Sequence, residues 1–481
     1  MKKLYIVVLF CLTYVASLSA QVYEKNCYYG ITFDYSNNPN WGYGELVITD
    51  VEPNSPAEKA GIKIGDIIME IDGKATYLRD KTLIASWLFD NNYDPKVKFT
   101  IRNMNTYFKE YELTRSCTHI NSISEQQLSS IFSFYSLEDS NNQSFTLPIR
   151  VTPAVDVDFT DYHTYAIYRE EGVEVPEIDS YITQLVEKNL RAKGLTPDVK
   201  DPDILVQTYY YYTPNPEYTG LTSKPGLVSK TRRYDTEKKQ MISLPITDFA
   251  NPNAEEISQY VVEYGFTFYD RKYIKPLQMT PIWDCNMKEY LTTKYPLEEY
   301  IRIVTPLMLM QFPFSTTKES SKYEVSFNKF NYTGIYYNAD DLKTIQDVIQ
   351  DSPAFKSGIR TNYTIEKINN KKFDHTKSSL SEGYKQFITE TMVFRDHNTR
   401  FTNSDGYADC MFWNKIYYND IEKAFSKANY GTSFSYLYDF NPYITHKANP
   451  EIIFEAWDGL QKRIFTVTPE IRQSVTIKII D

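Results

Sequence analysis

Apolar and polar positions follow several different rhythms along this chain, and each change of rhythm marks an element. Thr32 to Tyr35 alternates with a period of two, the spacing of a half-buried strand, and Leu46 to Val51 reads as the next strand. Asp80 to Asn91 switches to helical spacing, with Leu83, Ile84, Trp87 and Leu88 recurring on one side. Val97 to Ile101 and Tyr107 to Thr114 then predict a closing hairpin. Ser116 to Ser144 is polar and rich in Ser, Gln and Asn, with one apolar patch at Ile131 to Tyr135. It reads as a linker carrying a single helix. Periodicity resumes with an amphipathic helix over Asp179 to Lys193, where Ile182, Leu185, Val186 and Leu190 share a face and Gly194 is the stop. Strands over Ile204 to Tyr212 and Gln259 to Asp270 and a helix over Pro296 to Met310 follow. The last third predicts a helix over Ser378 to Thr391 and strands over Glu451 to Trp457, Arg463 to Val467 and Ser474 to Ile480.

Within this pattern, Asn54 to Gly73 (NSPAEKAGIKIGDIIMEIDG) carries the densest punctuation. Ser55 is a helix N-cap with Pro56 at the first helical position, and Gly61 ends the turn where a left-handed backbone is needed. Gly65-Asp66 is a tight turn, Ile67 to Ile71 an apolar strand, and Asp72-Gly73 a two-residue hairpin signal. A second copy, Asp351 to Ile368, repeats Ser-Pro-Ala, Lys and Gly-Ile at Ser352 to Ala354, Lys356 and Gly358-Ile359, but replaces the Gly-Asp turn with Asn362-Tyr363. The first run resembles the centre of bacterial PDZ domains, which bind peptides. The fold implied is multi-domain α+β: two PDZ-like, partly open β-barrels with short helices, the second one divergent, separated by an α+β sheet-and-helix domain.

The resemblance assigns a site. In the family an aromatic-x-Gly-hydrophobic loop precedes the strand that receives the ligand, and Tyr28, Tyr29, Gly30 and Ile31 stand there, followed by Thr32 and Phe33. Gly lets loop N–H groups converge on a carboxylate, and the strand pairs with the bound peptide as an added edge. The groove's other wall falls on the helix, with Leu83, Trp87 or a neighbour lining the pocket for the ligand's terminal side chain; plain core packing is the competing reading. Tyr332, Thr333, Gly334 and Ile335 hold the matching places in the second module, with Tyr384 and Phe387 on its helix. Met392 to Asn449 is an aromatic-rich insertion with one helix, Asn419 to Lys427, that is positioned to fill the second groove itself. Cys27 and Cys117 bracket the first module, whose terminal strands run close together in the family, which points to a disulfide. The alternative is that Cys27, Cys117, Cys285 and Cys410 are all small buried hydrophobes.

The middle of the chain resembles the domain-of-unknown-function 4136 family of bacterial envelope proteins. The carriers are Asp158 to Ala166 (DFTDYHTYA), Lys193-Gly194, Asp201 to Val206 (DPDILV), Gly265 to Asp270, Pro281 to Trp283 and Pro296 to Pro313. That likeness implies an α+β domain and brings no activity. The expected organisation is a leader at 1–20, a first PDZ domain at 23–115, a linker at 116–146, the α+β domain at 147–315 and a second PDZ domain at 322–481 with its insertion at about 392–449.

Composition narrows the function. The chain has 481 residues, too many for one core. Its net charge is −10, which argues against nucleic acid and against anionic membranes. Lys2-Lys3, the apolar run Leu4 to Val15 and the small residues Ala16 to Ala20 form a cleavable export signal, leaving no later spanning run. The expected address is the periplasm or outer envelope of a Gram-negative bacterium. No HExxH, GxSxG, P-loop or GxGxxG occurs, and no cofactor or metal is implied. Asp156, Asp158 and Asp161, and separately Asn403, Asp405 and Asp409, could gather calcium but lack a full loop, so turn roles are expected. The leading expectation is an exported, non-catalytic scaffold that binds extended or C-terminal peptides of exported proteins. The alternatives are a structural assembly protein whose PDZ grooves are self-occupied, and an enzyme with an unrecognised site in the middle domain.

Overall fold

The computed structural model describes residues 25–89, 95–104, 106–132, 142–169, 175–220, 231–276, 278–314, 316–402, 408–427, 433–437 and 451–480. The leader at 1–20, Asn403 and Asp405 lie outside these residues.

The first unit opens with β1 (Lys25–Tyr28), β2 (Ile31–Tyr35) and β3 (Leu46–Val51), then the short helix α1 (Pro56–Ala60). The Ser55 hydroxyl caps α1 by accepting from the Glu58 N–H, and Gly61 ends it at φ +87°. Next come β4 (Ile67–Ile71), β5 (Lys74–Ala75), α2 (Lys81–Phe89), β6 (Lys96–Asn103) and β7 (Thr106–Thr114). The strands form one antiparallel sheet in the order β2-β3-β4-β6-β7, with β5 hairpinned onto β4, so β2 is an edge. Leu46, Ile48, Ile68, Ile71, Phe99 and Ile101 close a core against Ile84 and Leu88 of α2.

The described residues of the stretch read as a linker form strands and a helix that join three parts of the molecule. It contains β8 (Ser116–His119), β9 (Ser122–Ser124), α3 (Glu125–Phe132) and β10 (Asn142–Leu147). Its strands pair only with distant segments, so no local periodicity betrays them. β8 returns to β1, where Cys27 and Cys117 form a disulfide.

The middle domain follows with β11 (Ile149–Pro153), β12 (Thr164–Ile167), α4 (Glu177–Ala192), β13 (Thr196–Pro197) and β14 (Ile204–Pro214). A hairpin of β15 (Thr231–Asp235) and β16 (Gln240–Leu244) precedes α5 (Ala254–Ile257), β17 (Tyr260–Asp270), β18 (Thr280–Leu291) and α6 (Leu297–Leu309). The sheet runs β11-β18-β17-β14-β12-β13, and α4 and α6 cover one face. Among its buried charges, Arg233 pairs with Glu289 and Arg302 with Asp235, as burial of ions demands. This core also takes in Trp41, Ile67 and Met104 of the first unit. The Asn40 amide donates to the Val157 carbonyl at 2.9 Å and the Phe159 N–H returns a bond to Asn40 at 2.9 Å, so the two units are docked through buried polar contacts.

The final unit starts from the long strand β19 (Ser321–Tyr332) and continues with β20 (Ile335–Asn338), β21 (Ile345–Val348), α7 (Pro353–Ser357), β22 (Thr364–Ile368), β23 (Lys371–Lys372) and α8 (Lys377–Thr391). The insertion supplies α9 (Tyr418–Phe425), and the chain ends in β24 (Ile452–Trp457), β25 (Lys462–Val467) and β26 (Glu470–Ile479). Its strands β23-β22-β24-β25 share one sheet. β26 neither completes nor covers that sheet: it pairs along β19, which also holds β10.

The second unit repeats the first at its helix cap and its two tight turns. Ser352 caps α7 and Gly358 ends it at φ +99°. Asn362 at φ +68° takes the left-handed place of Gly65 at φ +90°, because Asn tolerates that backbone, and Asn369-Asn370 replace Asp72-Gly73 as the paired positive-φ turn. The Asn362 N–H donates to the Ile345 carbonyl as the Gly65 N–H does to Ile48, each at 2.8 Å.

The disulfide closes a separation of 90 residues. Removing it frees that loop in the unfolded chain, so Cys27→Ser with Cys117→Ser should lower the unfolding free energy by about 2–5 kcal/mol. Urea unfolding of the full chain measures this; an unchanged midpoint would show that β1 and β8 hold without the bond.

Candidate functional site: two carboxylate loops, one filled

Each repeated unit carries a loop built the same way. In the first, Gly30 lies at φ +79° and a Cβ there would overlap the Ser55 side chain, so only Gly fits. The Tyr29 carbonyl accepts from the Ala57 N–H at 3.1 Å and the Gly30 carbonyl from the Glu52 N–H at 2.8 Å. In the second, Gly334 at φ +89° meets Ser352 in the same way. The Thr333 carbonyl accepts from Ala354 at 2.9 Å and the Gly334 carbonyl from Ile349 at 2.9 Å. With carbonyls committed to the body of the unit, the amides are left for something else.

In the second loop that something is Glu125, which is 2% exposed. Its carboxylate accepts from the Thr333 N–H at 2.7 Å and the Gly334 N–H at 2.9 Å. The Thr333 hydroxyl adds a third bond and the Tyr436 hydroxyl a fourth at 3.2 Å. β9, immediately before Glu125, pairs antiparallel on β20, with Ser124 opposite Tyr336 and Ser122 opposite Asn338. α3, immediately after it, buries Leu128 completely in the second core, with Ile131 packed alongside. A strand on the sheet edge, a carboxylate on the loop amides and an apolar side chain beside it together reproduce a peptide bound by strand addition. The segment comes from the connector, not from the insertion. The insertion contributes Tyr436, whose hydroxyl meets that of Tyr337 at 2.9 Å.

Among the described residues nothing fills the first groove. A cavity of about 460 Å³ is lined by Tyr28, Tyr29, Gly30, Ile31, Thr32, Phe33, Asp50, Glu52, Leu88 and Phe89. Among the described residues the Gly30 N–H has no acceptor and no strand pairs with the outer edge of β2. Tyr29 is not a ligand-facing ring: it is buried, its hydroxyl donates to the Leu88 carbonyl at 3.2 Å, and its edge packs on Phe99. At the far end, the Lys81 ammonium of α2 bridges to Asp34 of β2 at 2.6 Å, and this bond holds the Asp34 carboxyl below its ordinary value. Asp50 and Glu52 make the mouth acidic; burial, with Asp50 beside it, pushes the Glu52 carboxyl up.

Both helix assignments need correction. Helical periodicity turns Ile84 and Leu88 inward, so Leu83 is 43% exposed and Trp87 lies on the flank under the Lys74 ammonium, 5.4 Å from the ring centre. Leu88 and Phe89 supply the wall instead. In the second unit Phe387 turns away toward the insertion, against Trp413 and Phe425, while Tyr384 packs at the edge of the core. Tyr332 lies under the Arg472 guanidinium, 3.2 Å from the ring centre, and Ile335 is core. Sequence reading missed Glu125 and Leu128. The available signal was a lone Ser-Ile-Ser-Glu strand ahead of an apolar helix, and only the fold shows where it lands. Of the calcium candidates, Asp158 caps a turn by accepting from Thr160, and Asp409 pairs with Arg400 at 3.6 Å.

Burial pushes the Glu125 carboxyl up to about 7 from an ordinary 4.5, against the lowering by its Thr333, Gly334 and Tyr436 bonds. The folded chain therefore holds this proton more tightly than the unfolded chain does. The contribution is complete below about pH 4.5 and is lost as pH rises to about 7, amounting to about 3 kcal/mol. The unfolding free energy of the native chain minus that of Glu125→Gln should fall by this order across that window. A pH-independent difference would refute the assignment.

The family profile described as a PDZ domain matches residues 47–102, and that described as a domain of unknown function, DUF4136, matches residues 151–314. A stretch of 47 residues is 45% identical to the serine endoprotease DegS of Haemophilus influenzae; it is 10% of this chain and 13% of that protein, so the chain spans only a small part of this curated relative. A DUF4136 family protein from Bacteroides thetaiotaomicron VPI-5482 aligns over 37% of this chain and 100% of its own, at 14% identity and a TM-score of 0.20. The crystal structure of a PDZ domain protein from Parabacteroides distasonis ATCC 8503 matches 95% of this chain and 100% of its own, at 36% identity and a TM-score of 0.80. Likeness at that level across the whole of that relative means that this chain belongs to the same family of PDZ domain proteins.

Proposed function

We propose that this protein is an exported, non-catalytic scaffold with two PDZ-type modules of different status. The first offers an open groove to an extended peptide ending in a free carboxylate. The second is a PDZ module that carries its own ligand, the connector segment Ser122 to Glu125. The observation that carries this reading is the pair of equivalent loops, one of which already holds a carboxylate on its Thr333 and Gly334 amides. By the same geometry the Gly30 loop takes the terminal carboxylate of a partner, β2 takes its backbone, and Leu88 with Phe89 takes its last side chain.

The filled second groove favours an architectural role for that module alone. There the internal strand locks the connector in place, while recognition is left to the first groove. The partners are proteins or peptides of the envelope or its surroundings, and neither nucleic acid nor a cofactor enters this reading.

Several backbone hydrogen bonds at a net ~1 kcal/mol each, with one buried side chain at ~2 kcal/mol, reach micromolar affinity once association is paid for. The full chain titrated with a peptide library should therefore bind free C-termini in that range and lose about ten-fold or more on C-terminal amidation. Gly30→Ala should abolish this binding. Binding indifferent to amidation would replace carboxylate reading with internal strand addition, and no binding at all would leave the first groove as architecture.

A further inference from the structure

The filled groove of the second unit is a template for the unfilled one, because the two share their hydrogen bonds. The Ile349 N–H donates to the Gly334 carbonyl at 2.9 Å, and the Ile349 carbonyl accepts from the Ser352 N–H at 3.2 Å. Glu52 makes the same two bonds in the first unit, to the Gly30 carbonyl at 2.8 Å and from the Ser55 N–H at 3.2 Å. Tyr336 pairs across its sheet with Asp347, and Thr32 with Asp50. Ser124 of the internal ligand lies opposite Tyr336, one residue before the Glu125 that delivers the carboxylate. Directly opposed residues of antiparallel strands point to the same face, so Ser124, Tyr336 and Asp347 form one row. By the same register, the penultimate residue of a peptide in the first groove falls opposite Thr32. It then shares a face with Asp50, beside the Glu52 that lines the same cavity.

What differs between the two grooves is the charge. In the second unit the one acid of the row is already engaged. Asp347 accepts from the His119 N–H at 3.0 Å and meets the His119 ring Nδ1 at 2.6 Å, and His119 belongs to the same connector as the internal ligand. In the first unit Asp34 is bridged to Lys81 at 2.6 Å and Asp50 to Lys478 at 2.7 Å. That leaves Glu52, which stands where the filled unit has the apolar Ile349. Among the described residues no Lys, Arg or His lies within ion-pair reach of its carboxylate. Burial, then the Asp50 charge, pushes its carboxyl up, as a missing counter-charge does.

We propose that the first groove selects peptides whose penultimate residue is Lys or Arg, with Glu52 as the carboxylate that receives the cation. The inference rests on the carboxylate-reading groove proposed above and adds a preference to it. Two strand spacings of about 4.8 Å separate the penultimate residue from the acidic row. A long cationic side chain spans them along Thr32 and a short one does not, which agrees with Asp347 being met by His119 and not by Ser124. An acidic penultimate residue is disfavoured by the charge already there.

The test is fluorescence anisotropy of the full chain with labelled peptide pools, each with a free carboxylate and an apolar last residue, random upstream, and Lys, Ala or Glu fixed at the penultimate position. The Lys pool should bind about five-fold more tightly than the Ala pool and the Glu pool about five-fold more weakly, with the spread narrowing as salt is added. Glu52→Gln should bring the pools together. Glu52→Lys should reverse their order, a gain of affinity for the Glu pool that a misfolded variant cannot produce. Equal binding of the pools by the native chain, or an order that survives Glu52→Lys, overturns the preference and leaves carboxylate reading standing. Failure of every pool to bind overturns both.

Discussion

The arrangement of this molecule depends on one buried carboxylate. Glu125 is out of water, and a carboxyl group there, most of all when ionised, needs a full set of hydrogen-bond partners. Two backbone amides and two hydroxyls supply that set, and they come from a loop more than two hundred residues downstream and from the insertion. Satisfying Glu125 thus requires the connector, the second module and the insertion to be in place together. The strand β9 and the helix α3 are consequences: one flanks the carboxylate along the edge of β20, the other drives Leu128 into the core behind it.

The same loop in the first unit shows what a difference in context does to an identical backbone. Gly30 and Gly334 share a positive φ, a contact with a capping Ser and the same pair of carbonyl acceptances. Among the described residues, one edge strand is covered and the other is not. Exposed edges invite pairing, so an uncovered β2 beside an unfilled cavity is a feature that a folded chain retains only where something docks or where neighbours shield it. Here the Lys81 to Asp34 bridge restricts the far end and leaves the loop end accessible.

Much of this was readable from residues. The Ser-Pro-Ala to Gly punctuation fixed α1 and α7 because caps and left-handed stops are local chemistry, and both loops were located by their Gly and flanking aromatics. The helix α4 declared itself through a 3.6-residue period. What escaped was non-local. β8, β9 and β10 are short strands in polar sequence whose only partners lie far away, so nothing in their own composition distinguishes them from a linker. The helix wall of the first groove was assigned to Leu83 and Trp87 because spacing shows which residues share a stripe but not which part of the stripe the sheet covers. Asn362 and Asn369-Asn370 hid a conserved geometry behind changed letters, since Asn enters the left-handed region at modest cost.

The disulfide gives the connector the character of a ruler. From Cys117, tied to β1 of the first unit, to Glu125, seated in the second, the chain runs only eight residues, and an extended chain covers about 3.4 Å per residue. The disulfide and the Glu125 seat are therefore tethered by at most roughly 27 Å of chain, part of it taken up by the turn between β8 and β9. Loops between domains ordinarily absorb insertions freely. This one cannot lose or gain a residue without sliding Glu125 off its amides, turning β9 over, or parting the cysteines. Its length is as much a part of the fold's specification as any residue in it.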